Sequence, residues 1–421
     1  MPRIKLTLIG AGSRFTFGVV ADLIRCPAFA GSAIALSARI VGRLASGTGA
    51  DLRVERSPHR RDLLPGSDFV LNSISVGEPW ARERDVAIGE RYGIYQPTSQ
   101  TVGPAGFARG LRVIPHAGAI ARDVADLCPD AVVLNLANPL SAVCRSMIRG
   151  TGLTVIGLCE QWKVTLRPFG ETLNASPDAL DCLSVGINHL TWALALHHEG
   201  RDLLPEALRR LHAPGGKPIL DALPVSREIY DAFGLWPTGT EDHIAEFFPY
   251  FLTPETRGGA AYGLVTRHTT QEQADARRAE RHALADGKTP IDSLLGPSGE
   301  SAVEIISALT GVSEPGLQTV NVPNAGLIDN LPEDAVVELP AHVGPAGVRG
   351  LKVGPLPQPV AQFLSARAAQ HELLVDAALS GDRRLALQGL LLDAQIVSLS
   401  AARSILSESL TANAEWLPKF Q

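Results

Sequence analysis

The sequence predicts an α/β fold built on a doubly wound, mainly parallel sheet, and three observations carry that expectation. The run Ile4-Lys5-Leu6-Thr7-Leu8-Ile9 stops at Gly10-Ala11-Gly12-Ser13, and a helical spacing of apolar residues follows at Val19, Val20, Leu23 and Ile24. Strand, glycine turn and helix form the opening of a Rossmann-type dinucleotide-binding unit. Further short apolar runs at 33–36, 52–54, 69–74 and 131–135 alternate with helical patterns at 39–45 and 117–127, the pattern of parallel strands joined by crossover helices. A chain of 421 residues also exceeds one ordinary core, so a second lobe is expected.

Taken in order, the glycine turn reads Gly10-x-Gly12-x-x-Phe15, with the third glycine of the usual fingerprint absent. Gly10, Gly12 and Ser13 are the candidates to face a pyrophosphate at the start of the first helix. The strand at 131–135 runs to Asn138-Pro139, and a helix begins at Ser141 with Val143, Met147 and Ile148 inward. The strand at 154–158 then delivers Cys159. The second lobe should start near Leu180, which divides the chain into a dinucleotide-binding domain at 1–180 and a substrate, metal and oligomerisation domain at 181–421. Strands are expected there at 183–187 and 191–196, and long helices at 271–285, 360–378 and 385–409. The glycine- and proline-rich stretch 344–359 reads as loops and short strands.

Composition narrows the function classes. Apolar residues make up 45% and charged residues 19%, as in an ordinary globular enzyme. A net charge of −6 gives no bulk attraction to nucleic acid or to an anionic membrane. The five cysteines are scattered, odd in number and without a CxxC, which argues against a disulfide framework. No run approaches the roughly 18 apolar residues of a membrane span, and the N-terminus enters a strand directly. A cytoplasmic location is expected.

Two strand ends hold the chemistry. Gly157-Leu158-Cys159-Glu160 and Gly186-Ile187-Asn188-His189 each stop on a metal-ligating residue type, and thiolate with imidazole suits a divalent transition metal. A lone Cys or His at a strand end is more often packing than ligation, so the pair gains meaning only from its context. That context is an order of motifs: Ile9-Gly10-Ala11-Gly12-Ser13, then Gln100-Thr101-Val102-Gly103-Pro104-Ala105-Gly106 and Leu111-Arg112-Val113-Ile114-Pro115. Asn138-Pro139, the two strand ends and His243-Ile244-Ala245-Glu246-Phe247 follow, and Asn321-Val322-Pro323-Asn324-Ala325-Gly326 with Val337-Glu338-Leu339-Pro340 closes the set. Together they resemble glycoside hydrolase family 4, on its α-glucosidase and α-galacturonase side, from residue 4 to Trp416-Leu417-Pro418.

The resemblance implies an N-terminal Rossmann-like domain and a second domain similar to the C-terminal domain of lactate and malate dehydrogenases. It implies bound NAD and a divalent metal, most often manganese, and an exception to two-carboxylate glycoside hydrolysis. The implied route is hydride removal at C3 of the sugar, C2 deprotonation, elimination at C1, water addition and return of the hydride. By motif match Cys159 and His189 would ligate the metal, while Asn138 and Asn188 would hydrogen-bond sugar hydroxyls. A homodimer or homotetramer is implied as well, with Leu385, Leu387, Leu390, Leu391, Leu392 and Ile396 suited equally to an interface or to core.

Departures from the family pattern matter too. Glu160 stands after the metal cysteine where the family has His, Asn or Asp, and a carboxyl there can protonate the leaving oxygen unless a nearby base keeps it ionised. Asp242 and His243 are the candidates for the base, Tyr250 a weaker one, and His243 and Glu246 can share a helix face. No acidic residue stands at the end of the second strand, about twenty residues past the glycine turn, to hold the adenosine ribose. Ser37 is the nearest polar group, with Arg39 close enough to make NADP an alternative. No concentrated Arg/Ser cluster demands a 6-phosphosugar; a uronate would need a cation such as Arg112, Lys163 or Arg267, each of which is by default an exposed or structural residue. Two other readings remain open: a plain NAD-dependent sugar or hydroxy-acid dehydrogenase, which needs no Cys159–His189 metal, and a non-catalytic relative that binds NAD or sugar.

Overall fold

A computed structural model describes all residues except 1–2, 11–13, 27–31, 36–39, 41, 45–50, 78, 295 and 297. Gly12, Ser13, Ser37 and Arg39, and with them most of the question raised by the second strand, lie outside the described residues.

The first half alternates as expected: β1 (Lys5–Ile9), α1 (Arg14–Arg25), β2 (Ser32–Ala35), β3 (Leu52–Glu55), β4 (Phe69–Asn72), α2 (Trp80–Arg91), α3 (Gly103–Leu127), β5 (Val132–Asn135), α4 (Leu140–Ile148) and β6 (Val155–Gly157). These strands are parallel in the order β6-β5-β4-β1-β2-β3. The direction of winding reverses between β1 and β4, and in such sheets a ligand crevice opens outside the carboxyl ends of the strands at that point.

Both faces of the parallel sheet are covered, which explains why its strands read as continuous apolar runs. Neighbouring residues point to opposite faces: Val70, Val133 and Val155 join a core with α3 and α4, while Leu71, Leu134 and Ile156 join one with α1. Helix α3 reaches further back than the apolar pattern at 117–127 indicates. It begins at Gly103 and continues through Pro115, whose missing N–H leaves one turn without its usual bond.

The second half contributes β7 (Asp181–Ile187), β8 (Leu190–His198), β9 (Arg201–Asp202), β10 (Trp236–Thr238), α5 (Glu241–Glu246), α6 (Gln271–Ala285), α7 (Ala302–Leu309), β11 (Gly316–Pro323), β12 (Val336–Gly344), β13 (Gly347–Gly350), α8 (Gln358–Ser380), α9 (Arg383–Leu391) and α10 (Leu399–Ala412). Strands β11 and β12 insert between β6 and β7, so the sheet continues unbroken from its parallel part into an antiparallel one. Gly157 pairs with Asn321, and Glu338 with Gly186, so the ends of β6 and β7 are held two strands apart.

The helix expected over 385–409 is instead two, α9 and α10. Asp393, 3% exposed, turns inward to accept bonds from Gly103 N at 2.8 Å and Gln370 Nε2 at 3.0 Å, and Ser398 caps α10 by accepting from Ala401 N. A residue bonded inward across the chain cannot stay on a regular helix face, so the turn breaks there. Leu390 is core, Leu385, Leu387 and Ile396 pack against it, and Leu391 and Leu392 are exposed. Among the described residues no helix is long and apolar enough to cross a membrane.

Candidate active site

Glycine 157 lets β6 end where it does. A Cβ there would lie 2.4 Å from Leu140 Cδ2, 2.8 Å from Asn321 Cβ and 2.9 Å from Cys144 Sγ, so only hydrogen fits. The chain then passes through buried Leu158 to Cys159 and Glu160. On β7, Ile187 pairs with Leu190, so Asn188 and His189 form a two-residue hairpin turn, with His189 in the left-handed region at φ 69°. Both ends open on one cavity of about 420 Å³, whose lining includes Cys159, Glu160, His189, Asn138, Gln100 and Glu300.

Histidine 189 is fixed by its neighbours. Its Nδ1 shares a hydrogen bond of 2.7 Å with Thr101 Oγ1, which leaves Nε2 for a second partner. Burial first, and then the adjacent His243, push its pKa well below the usual imidazole value, so the ring is neutral at pH 7. The turn that presents Thr101 is anchored by Glu246, which accepts from Thr98 N at 2.7 Å, Thr98 Oγ1 at 2.6 Å and Ser99 N at 2.8 Å. Glu246 therefore shapes the site through this turn, and neither it nor His243 is among the residues that line the cavity.

Beneath the cysteine lies a polar group that sequence reasoning quoted but gave no role. Glu338 Oε2 accepts from Asn188 Nδ2 at 2.8 Å and Asn321 Nδ2 at 2.9 Å. Burial holds this carboxyl up at about 7 against those two hydrogen bonds. Asn188 Oδ1, Asn321 Oδ1 and Glu338 Oε1 are buried with no hydrogen-bond partner. Burial, and then the charge of Glu338, push the Cys159 thiol well above its ordinary value, so the sulfur is protonated when no cation is beside it.

These groups fit an incompletely coordinated cation. Unpartnered buried oxygens call for a donor or a cation, and a bound metal would reverse the thiol's preference for its proton. Among the described residues no cluster of three His, Cys, Asp or Glu side chains is arranged as a metal site. The thiol and imidazole would thus have to share an ion with amide, water or substrate oxygens, which suits a catalytic ion with open positions rather than a closed structural one.

Asparagine 138 lies on the same cavity: its Oδ1 accepts from Leu140 N at 3.2 Å and its Nδ2 reaches Gln100 Oε1 at 3.5 Å. Glu160 pairs with Lys163 Nζ at 2.6 Å and accepts from Ser301 N at 3.2 Å. Both oxygens of Glu160 are thus engaged, which works against a donor role for Glu160 alone. Glu300 on the same wall, which sequence reasoning missed, is raised to about 7 by burial and then by the charge of Glu160. No motif marks it: it sits in a polar loop far along the chain.

Helix α5 brings Asp242 and His243 to the far side of His189. The two histidine rings meet edge to face with centroids 4.2 Å apart. His243 Nδ1 lies 2.7 Å from Thr240 Oγ1 and 3.3 Å from Asp242 Oδ1, while its Nε2 is buried without a partner. Burial pulls the Asp242 carboxyl upward, but hydrogen bonds from His243 and Thr240 outweigh it and hold the group well below the usual carboxylate range. Tyr250 is 66% exposed, which removes it both from the core and from the candidates for the base. Arg112 is buried in an ion pair with Asp85, so it is a structural residue and not a partner for a uronate.

At the sheet's switch point Gly10 has φ 87°, and a Cβ there would meet Ser73 C at 2.6 Å. Ser73 Oγ is bonded to Thr16 Oγ1 at 2.8 Å, tying the end of β4 to the first helix.

Comparison with known proteins finds relatives along nearly the whole chain. A family model described as family 4 glycosyl hydrolase matches residues 5–174, and one described as the family 4 glycosyl hydrolase C-terminal domain matches residues 184–396. An α-galactosidase of Bacillus subtilis (strain 168) is 29% identical, with 99% of this chain and 100% of that protein aligned. An α-galacturonidase of the same organism is 30% identical over 93% of each. The crystal structure of lplD from Bacillus subtilis superposes with a TM-score of 0.85 at 26% identity, over 97% of this chain and 100% of that one. A 6-phospho-α-glucosidase from gut microorganisms, solved with NAD and Mn2+, gives a TM-score of 0.81 at 22% identity, with both chains fully covered.

Proposed function

The chain belongs to the family 4 glycosyl hydrolases, and from that premise we propose that it cleaves α-glycosides or α-uronides that carry no phosphate, using a nicotinamide dinucleotide and a divalent cation, with NAD and Mn2+ as the reference pair. The observation that carries the reading is the convergence of Cys159 and His189 on one cavity at the strand ends. The α-galactosidase and α-galacturonidase relatives, and the neighbouring structure holding NAD and Mn2+, support it. When bound, NAD supplies the hydride acceptor and donor for C3 of the sugar, and the cation polarises the C2 and C3 oxygens.

The protein's own residues do the rest. Cys159 and His189 would hold the cation, and Thr101 fixes the His189 ring at Nδ1, which leaves Nε2 free for it. Asn138 takes sugar hydroxyls, while Asn188, expected from the sequence to do the same, is fully buried and donates to Glu338; Gly10 faces the pyrophosphate end, and Gly12 and Ser13, outside the described residues, are assigned to it from the sequence alone. Thr240 and Asp242 hold His243 at Nδ1 and leave the unpartnered Nε2 to accept the C2 proton. The leaving oxygen takes its proton from the Glu160–Glu300 pair, in which burial, and then the charge of Glu160, raises the Glu300 carboxyl to about 7. The lining supports a sugar without phosphate: Arg109 is the one Lys or Arg among the described residues there, and it already contacts Asn138 O and Ser75 Oγ.

We also place the boundary between the two working halves at 180/181. Self-association as a homodimer or homotetramer would use the surface where Leu391, Leu392, Val397 and Leu399 are exposed.

A panel of aryl α- and β-glycosides and uronides, assayed with and without NAD+ and Mn2+ while absorbance at 340 nm is followed, tests the reading. Cleavage that needs both additives without NADH accumulation is expected. Accumulation without cleavage would make the protein a dehydrogenase, and silence with no dinucleotide binding would make it a non-catalytic relative.

A further inference from the structure

The turn that carries Gln100 and Thr101 bends through two residues in the left-handed region, Ser99 at φ 52° and Gly103 at φ 69°. Glycine takes that conformation freely, but serine does so at a cost, so its surroundings must hold it there. Each of the two has its N–H bonded to a buried carboxylate. Glu246 Oε1 accepts from Ser99 N at 2.8 Å, and Asp393 Oδ2 accepts from Gly103 N at 2.8 Å. Between these anchors Thr101 Oγ1 meets His189 Nδ1 at 2.7 Å.

Asp393 comes from the turn between α9 and α10, 290 residues beyond Gly103, and does not line the cavity. It is gripped from three sides: Gln370 Nε2 donates to Oδ2 at 3.0 Å, Gln395 N donates to Oδ1 at 3.0 Å, and Arg367 Nη1 lies 3.6 Å from Oδ2. Arg367 and Gln370 are buried and bonded to each other at 2.8 Å. Gln395 Nε2 also donates to Glu246 O at 2.7 Å, which ties the two anchors together. Gln96 closes the turn from within: its Nε2 donates to Val102 O at 2.6 Å, and its Oε1 accepts from Ala105 N at 2.8 Å. A buried network with this many bonds across one turn leaves Thr101 little freedom.

We propose that Asp393 is a positioning residue for His189. It fixes Gly103, and through the 99–103 turn it sets Thr101 Oγ1 against Nδ1, so that Nε2 keeps one direction for a divalent cation. The inference rests on the reading that Cys159 and His189 hold such an ion.

The Mn2+ affinity of the full chain, read from the paramagnetic resonance signal of the free ion, tests it in a double-mutant cycle. Thr101→Val removes the oxygen at nearly constant shape and should weaken Mn2+ binding about 10–100-fold. Asp393→Asn leaves one acceptor where the N–H groups of Gly103 and Gln395 need one each, and should weaken it about tenfold. In the Thr101→Val background the same change should cost less than about twofold, because the route to His189 is already cut. A carboxylate that merely stabilised the fold, or attracted the cation at a distance, would cost the same in both backgrounds, and that result overturns the inference. So does Asp393→Asn binding Mn2+ as tightly as wild type. If circular dichroism shows Asp393→Asn unfolded, Gly103→Ala takes its place in the cycle. A Cβ there meets Gln96 Nε2 at 2.3 Å and displaces the turn with the carboxylate intact. The same coupling to Thr101→Val is expected, and its absence overturns the inference. Wild type that binds no Mn2+ removes the metal reading as well, whereas a bound ion without coupling removes the inference alone.

Discussion

Glu338, only 1% exposed, is a carboxyl that the fold keeps largely protonated below about 7. Its folded pKa lies above the unfolded one, so its contribution to stability is fully present below the ordinary carboxylate pKa and is lost as pH rises through about 7. In metal-free protein that loss should reach on the order of 3 kcal/mol. Urea unfolding of wild type and Glu338→Gln between pH 4.5 and 8 should show the wild type losing ground to the variant across this window, and a constant difference would contradict the assignment. Cys159 and His189 were legible because each ends an apolar run. Glu338 was not, since one acid inside Val336-Val337-Glu338-Leu339 carries no sign of what lies beneath it. Its meaning comes from Asn188 and Asn321, which only strand pairing brings to it.

Gly157 and the turn into α6 show how elements place those residues. Gly157→Ala would force a Cβ against Leu140, Asn321 and Cys144, costing about 1–3 kcal/mol and moving the segment that carries Cys159. Thermal unfolding and glycosidase assays of this variant should show lower stability together with a larger loss of activity; unchanged activity would disconnect Gly157 from the site. Helix α6 starts from a capping box in which Thr270 accepts from Gln273 N and Gln273 Oε1 accepts from Thr270 N. Thr270→Ala should weaken the first turn by about 1 kcal/mol, visible as faster amide exchange confined to it. Apolar runs and helical spacing located most strands and helices. The break between α9 and α10 was hidden, because leucine spacing continues toward Asp393 while the groups that pull it inward, Gly103 N and Gln370, are distant in sequence.

The whole molecule is closed by contacts between its ends. Arg112 of α3 and Asp85 of α2 form a buried ion pair, and Asn413 at the end of α10 bonds to both. Asp85→Ala would leave a guanidinium buried without its partner and should cost about 3–5 kcal/mol in urea unfolding. A cost below about 1 kcal/mol would mean that water or a neighbour replaces the carboxylate. At this scale the parallel half was readable from strand–helix alternation, but the passage of the sheet through β11 and β12 was not, since those strands come from a stretch more than a hundred residues later. That crossing sets the cavity beside the switch point, where a hydrolase can draw on a dinucleotide. Hydrolysis in D2O with Mn2+ and NAD+, followed by proton NMR of the released sugar, tests this account most directly. Removal and return of the C2 proton predicts deuterium at C2 of the product, whereas cleavage that leaves the C2 hydrogen fully in place would contradict it.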